Sequence, residues 1–504
     1  MTTRPAAPPL VVLPTATGAT RVSAAPGKLG LSLLVALVVG SIIGSGIFGL
    51  PQNMAAGAGA GAILIGWTIT GVGMLMLARV FQVLALRRPD LDNGVYAYAR
   101  ALSGDYVGFN SAWGYWVSAW LGNVGYLVAA FGALGYFFPT FGDGHTQAAV
   151  LGASVVLWTV HALVLRGIQG AAVLNAVVTA AKIAPLLLFI VLVAVAFQID
   201  TFRLDFWGSA KLGSVLDQVK STMLVTVWVF IGIEGASVYS ARANNRRDVG
   251  RATVAGFVIC LLLLMAVSLL SLGITTQPDL AGLKNPSMAG VLEKAVGKWG
   301  AVLIYIGVIV SVGGGVLAWT LLAGESLFTP AGDGVMPKWL GQQNGNGVPA
   351  NALWLTNGMV QIFLLVTLWS KASYLALISL STALILVPYL FSAGYGLLLA
   401  WRARAAGQGS RAITPEAGTM ARAGSDIPVA AIATVYCMWL LYPAGWKYLL
   451  LSALLYAPGA AIYMLAKKQR AQRPFTPREL AVLGLLLLLA AVAGYLLSVG
   501  SLTL

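Results

Sequence analysis

Apolar runs long enough to cross a bilayer recur from residue 30 to residue 500, and they decide what this chain can fold into. A helical span needs about 20 mainly apolar residues. Thirteen stretches meet or approach that length: 30–50, 60–83, 108–137, 149–165, 172–197, 221–240, 252–274, 300–323, 352–370, 373–400, 427–441, 446–466 and 480–500. The eleventh is short, so 12–13 transmembrane helices are expected. Only 9% of the residues are charged, against about 25% in a soluble domain. No segment has the alternating ten-residue pattern of a membrane β-barrel. The expected fold class is an all-α polytopic membrane protein.

Basic residues orient the spans. With the N-terminus inside, 22 of the 31 lysines and arginines fall on the cytoplasmic side or at cytoplasmic span ends, as the positive-inside rule requires. The net charge of +15 is then a topology signal and an attraction to the lipid bilayer, not a nucleic-acid footprint. Residues 1–28, rich in Pro, Ala and Thr, read as a disordered cytoplasmic tail. Residues 401–426 read as a flexible cytoplasmic loop, and 427–504 as additional C-terminal transmembrane helices.

Little in the chain points to catalysis. His145, His161, Cys260 and Cys437 are too few and too scattered for a metal set. The GSG at 44–46 lacks the strand–GxGxxG–helix context of a dinucleotide site, and there is no P-loop. No enzyme, catalytic residue, metal or cofactor is expected. Three ionisable residues do stand at membrane depth: Lys182, Glu234 and Glu325. Charge there is expensive and marks function by default. Glu325 lies near a span end and can reach water; Glu234 and Lys182 have the structural alternative of bonding broken backbone.

Two spans are interrupted. In GSIIGSGIFGLPQNM (40–54), four glycines, two serines and a proline follow an apolar run. In LVTVWVFIGIEGASVYSARANN (224–245), Gly232 and Gly235 flank Glu234. Glycine costs about 1 kcal/mol each in a helix interior. Unwound backbone is tolerated at membrane depth only where it lines a cavity. Interruptions at matching positions of two halves mark the substrate site of a secondary transporter. N–H groups near Gly46 would meet a carboxylate, and carbonyls around Ile42 an ammonium.

GSIIGSGIFGLPQNMA, DLDNGVYAYARALSGDYVGFNSAWGYWVSAWLGNVGY, VWVFIGIEGASVYSARANNRRDVGRATV and PANALWLTNGMVQ together resemble the basic amino acid/polyamine antiporter family of the amino acid–polyamine–organocation superfamily. The similarity runs from about Leu29 to the C-terminus, sparing the 403–426 loop. It implies a leucine-transporter-like fold, with a ten-helix core over 29–400 in inverted repeats of about 29–197 and 221–400. It further implies electroneutral exchange of arginine for ornithine in a bacterial inner membrane. The alternative on the same fold is a lysine permease or lysine exchanger, with or without proton coupling.

The resemblance also implies roles for particular residues. Ser45 and Gly46 would hold the substrate carboxylate, with the Ile42 carbonyl beside them. Asn123, Ile231, Trp319 and Ser379 would touch the substrate. Trp228 would cap it, Tyr115 would gate, and Glu234 would be the buried acid. Tyr126 departs from the family pattern, standing where a methionine lines the side-chain pocket. Lys182 resembles the fifth-span lysine of sodium-independent relatives, whose ammonium takes the place of a sodium ion; carbonyls near Gly40 are its expected partner.

Overall fold

The structure, a computed structural model, describes residues 31–88, 90–91, 94–167, 169–234, 246–370, 374–405 and 423–502. Its helices are, in chain order, α1 (Leu31–Ile42), α2 (Gly46–Ala55), α3 (Ala60–Arg87), α4 (Gly94–Ser103), α5 (Asp105–Leu134), α6 (Gln147–Leu165), α7 (Gln169–Ala196), α8 (Ile199–Arg203) and α9 (Val215–Trp228). They continue as α10 (Arg246–Ser271), α11 (Gln277–Ala281), α12 (Ser287–Val296), α13 (Lys298–Gly332), α14 (Ala350–Ser370), α15 (Tyr374–Ala405), α16 (Ala423–Tyr456), α17 (Gly459–Lys468) and α18 (Pro477–Ser498). Among the described residues, nine helical stretches are long and apolar enough to cross a membrane. The all-α polytopic class stands.

The differences from the expected spans have local causes. The run 30–50 is two helices, α1 and α2, parted at Ile43–Ser45. The run 221–240 is helical only to Trp228 and continues as turns to Glu234. Gly235 lies outside the described residues, as do the tail 1–28 and the centre of the 401–426 loop. That loop is shorter than expected. Helix α15 continues to Ala405 with Arg402 and Arg404 in its last turn, where cations complement the helix dipole, and α16 begins at Ala423.

The eleventh and twelfth spans are joined in one helical run, bent at Gly445 (φ 66°) just after Pro443. Proline removes a ladder donor, and glycine alone takes that φ without strain. The run folds back on itself. It starts at Asp426, paired with Arg87 at the C-terminal end of α3. Tyr442 then meets Lys220 near the start of α9. The run returns to Lys467, paired with Asp105 at the start of α5. The two arms are therefore separate crossings.

Helix α5 sits at the centre, buried on nearly every side against α13, α15, α4 and α14. Helix α18 lies at the periphery, with 11% of its apolar window buried. The far C-terminus is nonetheless pinned to the core. Thr476 and Glu479 form a reciprocal cap at the start of α18, a stabilising motif. The same Glu479 carboxylate accepts from the Tyr106 N–H at 3.0 Å.

Candidate functional site

Where the first span breaks, the Ile43 N–H closes the last turn of α1 onto the Val39 carbonyl at 2.9 Å. The Ser45 carbonyl accepts from the Phe48 N–H at 3.1 Å. The Ser45 side chain does not cap α2; its Oγ lies 3.4 Å from the Tyr374 hydroxyl. Among the described residues, the N–H groups of Gly44, Ser45 and Gly46 and the Ile42 carbonyl have no hydrogen-bond partner. The result is a bare helix N-terminus facing a bare helix C-terminus. The first attracts anions and the second cations.

These ends open onto a cavity of about 10 Å³, room for roughly one water molecule. Ile42, Gly44, Gly46 and Ile47 line it from the broken span, Trp228 and Ile231 from the end of α9, and Trp319 from α13. Tyr126 of α5, Val229 and Leu264 of α10 complete the wall. Glycine is required by contact here, not by φ. A Cβ on Gly46 would stand 2.7 Å from Trp228 Nε1, and one on Gly44 would stand 2.5 Å from the Tyr126 hydroxyl. The Tyr126 and Trp228 rings meet edge to face with centroids 5.9 Å apart, a favoured aromatic geometry.

The second break is organised by Glu234. After Trp228 the backbone tightens, with Phe230 N–H to Val227 O at 2.9 Å and Ile231 N–H to Trp228 O at 3.2 Å. Gly232 then takes φ 108°, open to glycine at little cost. The Glu234 carboxylate accepts from the Tyr115 hydroxyl (2.8 Å), the Tyr389 hydroxyl (2.7 Å) and the Gly232 N–H (3.1 Å). It thereby ties the unwound segment to α5 and α15. The Tyr115 ring in turn lies 6.4 Å from that of Trp319.

Lys182 of α7 is 5% exposed, and its ammonium donates to the Gly40 carbonyl at 2.6 Å. No carboxylate lies within ion-pair distance of it among the described residues. Glu325, by contrast, is exposed on α13 and takes no part in the cavity.

Of the residues implied by resemblance, Ile42, Gly46, Trp228, Ile231 and Trp319 are on the cavity wall. Ser45 is buried between the wall residues Gly44 and Gly46 but is not itself on the wall. Asn123 and Ser379 are buried but off the wall. Asn123 Nδ2 donates to Thr320 Oγ1 at 3.3 Å, and its Oδ1 is buried with no partner among the described residues. Tyr115 reaches the site only through Glu234 and Trp319. Sequence reasoning missed Tyr374 and Tyr389 on α15 and Leu264 on α10, none of which breaks the apolar pattern of its helix. Gly44 and Val229 could have been found, since each adjoins an interruption.

Comparison with known proteins places the chain in company. A family profile described as amino acid permease matches residues 29–466. The chain is 55% identical to the arginine/ornithine antiporter of Pseudomonas aeruginosa, over 95% of its own length and 98% of the relative's. It is 44% identical to the L-lysine transport protein of Corynebacterium glutamicum, over 95% and 96% of the two chains. It is 41% identical to an arginine/agmatine antiporter of Chlamydia pneumoniae, over 94% and 97%.

Proposed function

Because this chain belongs to the amino acid permease family, we propose that it is a secondary transporter exchanging external arginine for internal ornithine, one for one, by alternating access. The observation that carries this reading is the pair of bare helix ends at Ile42–Gly46 facing three aromatic side chains across one small cavity. The α2 N-terminus suits an α-carboxylate, and the Ile42 carbonyl suits an α-ammonium. Trp228, Trp319 and Tyr126 offer π faces to a side-chain cation, each contact worth about 0.5–2 kcal/mol. Cation–π attraction accepts a guanidinium or an ammonium, which suits an exchanger of arginine and ornithine. The two carry the same charge at neutral pH, so their exchange moves no net charge and needs no ion gradient.

A cavity of about 10 Å³ is far too small for arginine, so admission requires one wall to withdraw. Trp319 adjoins Thr320, the partner of Asn123, and its withdrawal would make the unpartnered Asn123 Oδ1 available to a donor on the substrate. Ser379 we assign to the same enlarged site, with Tyr115 and Trp228 as its gates. The ten-helix core would comprise inverted repeats of about 29–197 and 221–400, in a bacterial inner membrane with the N-terminus cytoplasmic.

The identity to a lysine transport protein favours one second reading, a lysine permease or exchanger. Proteoliposomes loaded with ornithine, arginine, lysine or buffer separate the two. Uptake of labelled arginine driven only by internal ornithine or arginine supports exchange. Equal uptake into buffer-loaded vesicles overturns it.

A further inference from the structure

The outer face of α3 carries a second concavity, unconnected with the substrate cavity. A cleft of about 610 Å³ lies between the C-terminal half of α3 and the N-terminal ends of α10 and α16. Its walls are apolar (Val83, Leu86, Val254, Val429), and Arg79 and Arg251 face into it from α3 and α10. The Gln82 side chain packs onto the Gly250 backbone at its floor, where a Cβ on Gly250 would collide with the side-chain amide.

Depth makes Arg79 unusual. Helix α3 has 28 residues, so it is about 42 Å long and overhangs a 30 Å hydrocarbon core by about 6 Å at each end. Arg79 stands eight residues before its last residue, about 12 Å along the axis. With α3 centred and upright, its Cα would lie about 6 Å inside the apolar layer. The side chain is exposed and has no hydrogen-bond or ion-pair partner among the described residues. Its apolar stem lets the guanidinium reach headgroup level from there, where it matches a phosphate bidentately.

The other charges around the cleft leave a positive balance. Arg251 is 73% exposed and only loosely engaged by Asp248 at 3.6 Å. Asp426 is already paired with Arg87. Basic clefts between spans on the cytoplasmic side suit anionic headgroups.

We propose that this cleft binds one anionic glycerophospholipid, with its phosphate on Arg79 and Arg251 and an acyl chain running inward along Val254 and Val429. Helix α10 connects the lipid to the transport core. A Cβ on Gly256, the residue after the cleft's Ala255, would stand 2.6 Å from Val38 of α1. A lipid seated between α3 and α10 therefore braces the helix against which the broken span rests.

The test is lipid binding to the purified, delipidated full chain, read by native mass spectrometry with phosphatidylglycerol and phosphatidylcholine as probes. The expected result is a preference for phosphatidylglycerol that falls about thirtyfold in R79Q/R251Q, since each arginine near the surface contributes about fivefold. R166Q, which removes a basic residue from a different membrane groove, should keep the preference. Exchange in phosphatidylcholine liposomes shows that R79Q/R251Q is folded. No preference in the wild type, an unchanged preference in R79Q/R251Q, or an equal loss in R166Q would overturn the proposal.

Discussion

The Lys182 ammonium donates to the Gly40 carbonyl at 2.6 Å, joining the fifth span to the last turn of α1 just before the helix gives way. A hydrogen bond to a charged group is worth about 1.5–3 kcal/mol, and here it also satisfies a carbonyl that would otherwise face α7 unpaired. We assign Lys182 a fixed charge that does the mechanical work of a bound cation. Lys182→Ala should slow exchange roughly tenfold or more in sodium and potassium media alike. Recovery of normal rates in sodium, or net arginine accumulation driven by a proton gradient alone in the wild type, would refute that role.

Gly46 should tolerate no side chain. Its Cβ would meet Trp228 Nε1 at 2.7 Å and Val229 Cγ1 at 3.1 Å, so even alanine must push the indole across the cavity. Gly46→Ala is expected to weaken arginine binding several-fold, and Gly46→Leu to abolish it, with normal membrane insertion. Titration of the purified variants by calorimetry checks this; wild-type affinity in Gly46→Leu would remove the break from the site.

At Trp228 and Trp319 the π face, not the volume, should matter. Replacement of either by alanine should weaken arginine affinity by about 2–30-fold, and phenylalanine should retain part of it. If Trp228→Phe binds no better than Trp228→Ala, the indole N–H or the size of the ring carries the contact.

Glu234 gathers donors from α5, α15 and the unwound segment, so its partners should couple. Tyr115→Phe and Tyr389→Phe each remove one hydroxyl from the same carboxylate. Each should cost about 1–2 kcal/mol in stability, with a non-additive double variant because the two share one acceptor. Strict additivity in a denaturation cycle would mean the two bonds act independently.

The cap at α18 offers a change remote from transport. Glu479→Ala removes both the reciprocal cap and the acceptor of the Tyr106 N–H, a loss of about 1–2 kcal/mol. The apparent melting temperature should fall while exchange at saturating substrate stays normal. A matching loss of exchange would tie the C-terminal helices to the transport cycle.

Backbone chemistry was legible in the chain, and packing was not. Both breaks announce themselves because glycine and serine are out of place in an apolar run, and Lys182 because a cation is. The hairpin at Gly445 was visible only as a short eleventh span beside a full-length twelfth. Helix faces were hidden for a physical reason: lipid and protein core are equally apolar, so the usual amphipathic stripe disappears. Helix α15 is buried on most sides and α18 on almost none, yet both read as leucine-rich runs. Tyr374 and Tyr389 therefore carried no signal, although one meets Ser45 and the other Glu234. Asn123 was found by resemblance, but its present partner Thr320 was not.

A cavity that holds about one water also leaves no room among Tyr126, Trp228 and Trp319 for a file of solvent. A proton or a sodium ion crosses a membrane along a continuous file of water, and the collar of Tyr126, Trp228 and Trp319 is too narrow at its waist to house one. For an exchanger that waits on its substrate, such closure would let a cell keep many idle copies in its membrane without short-circuiting its potential.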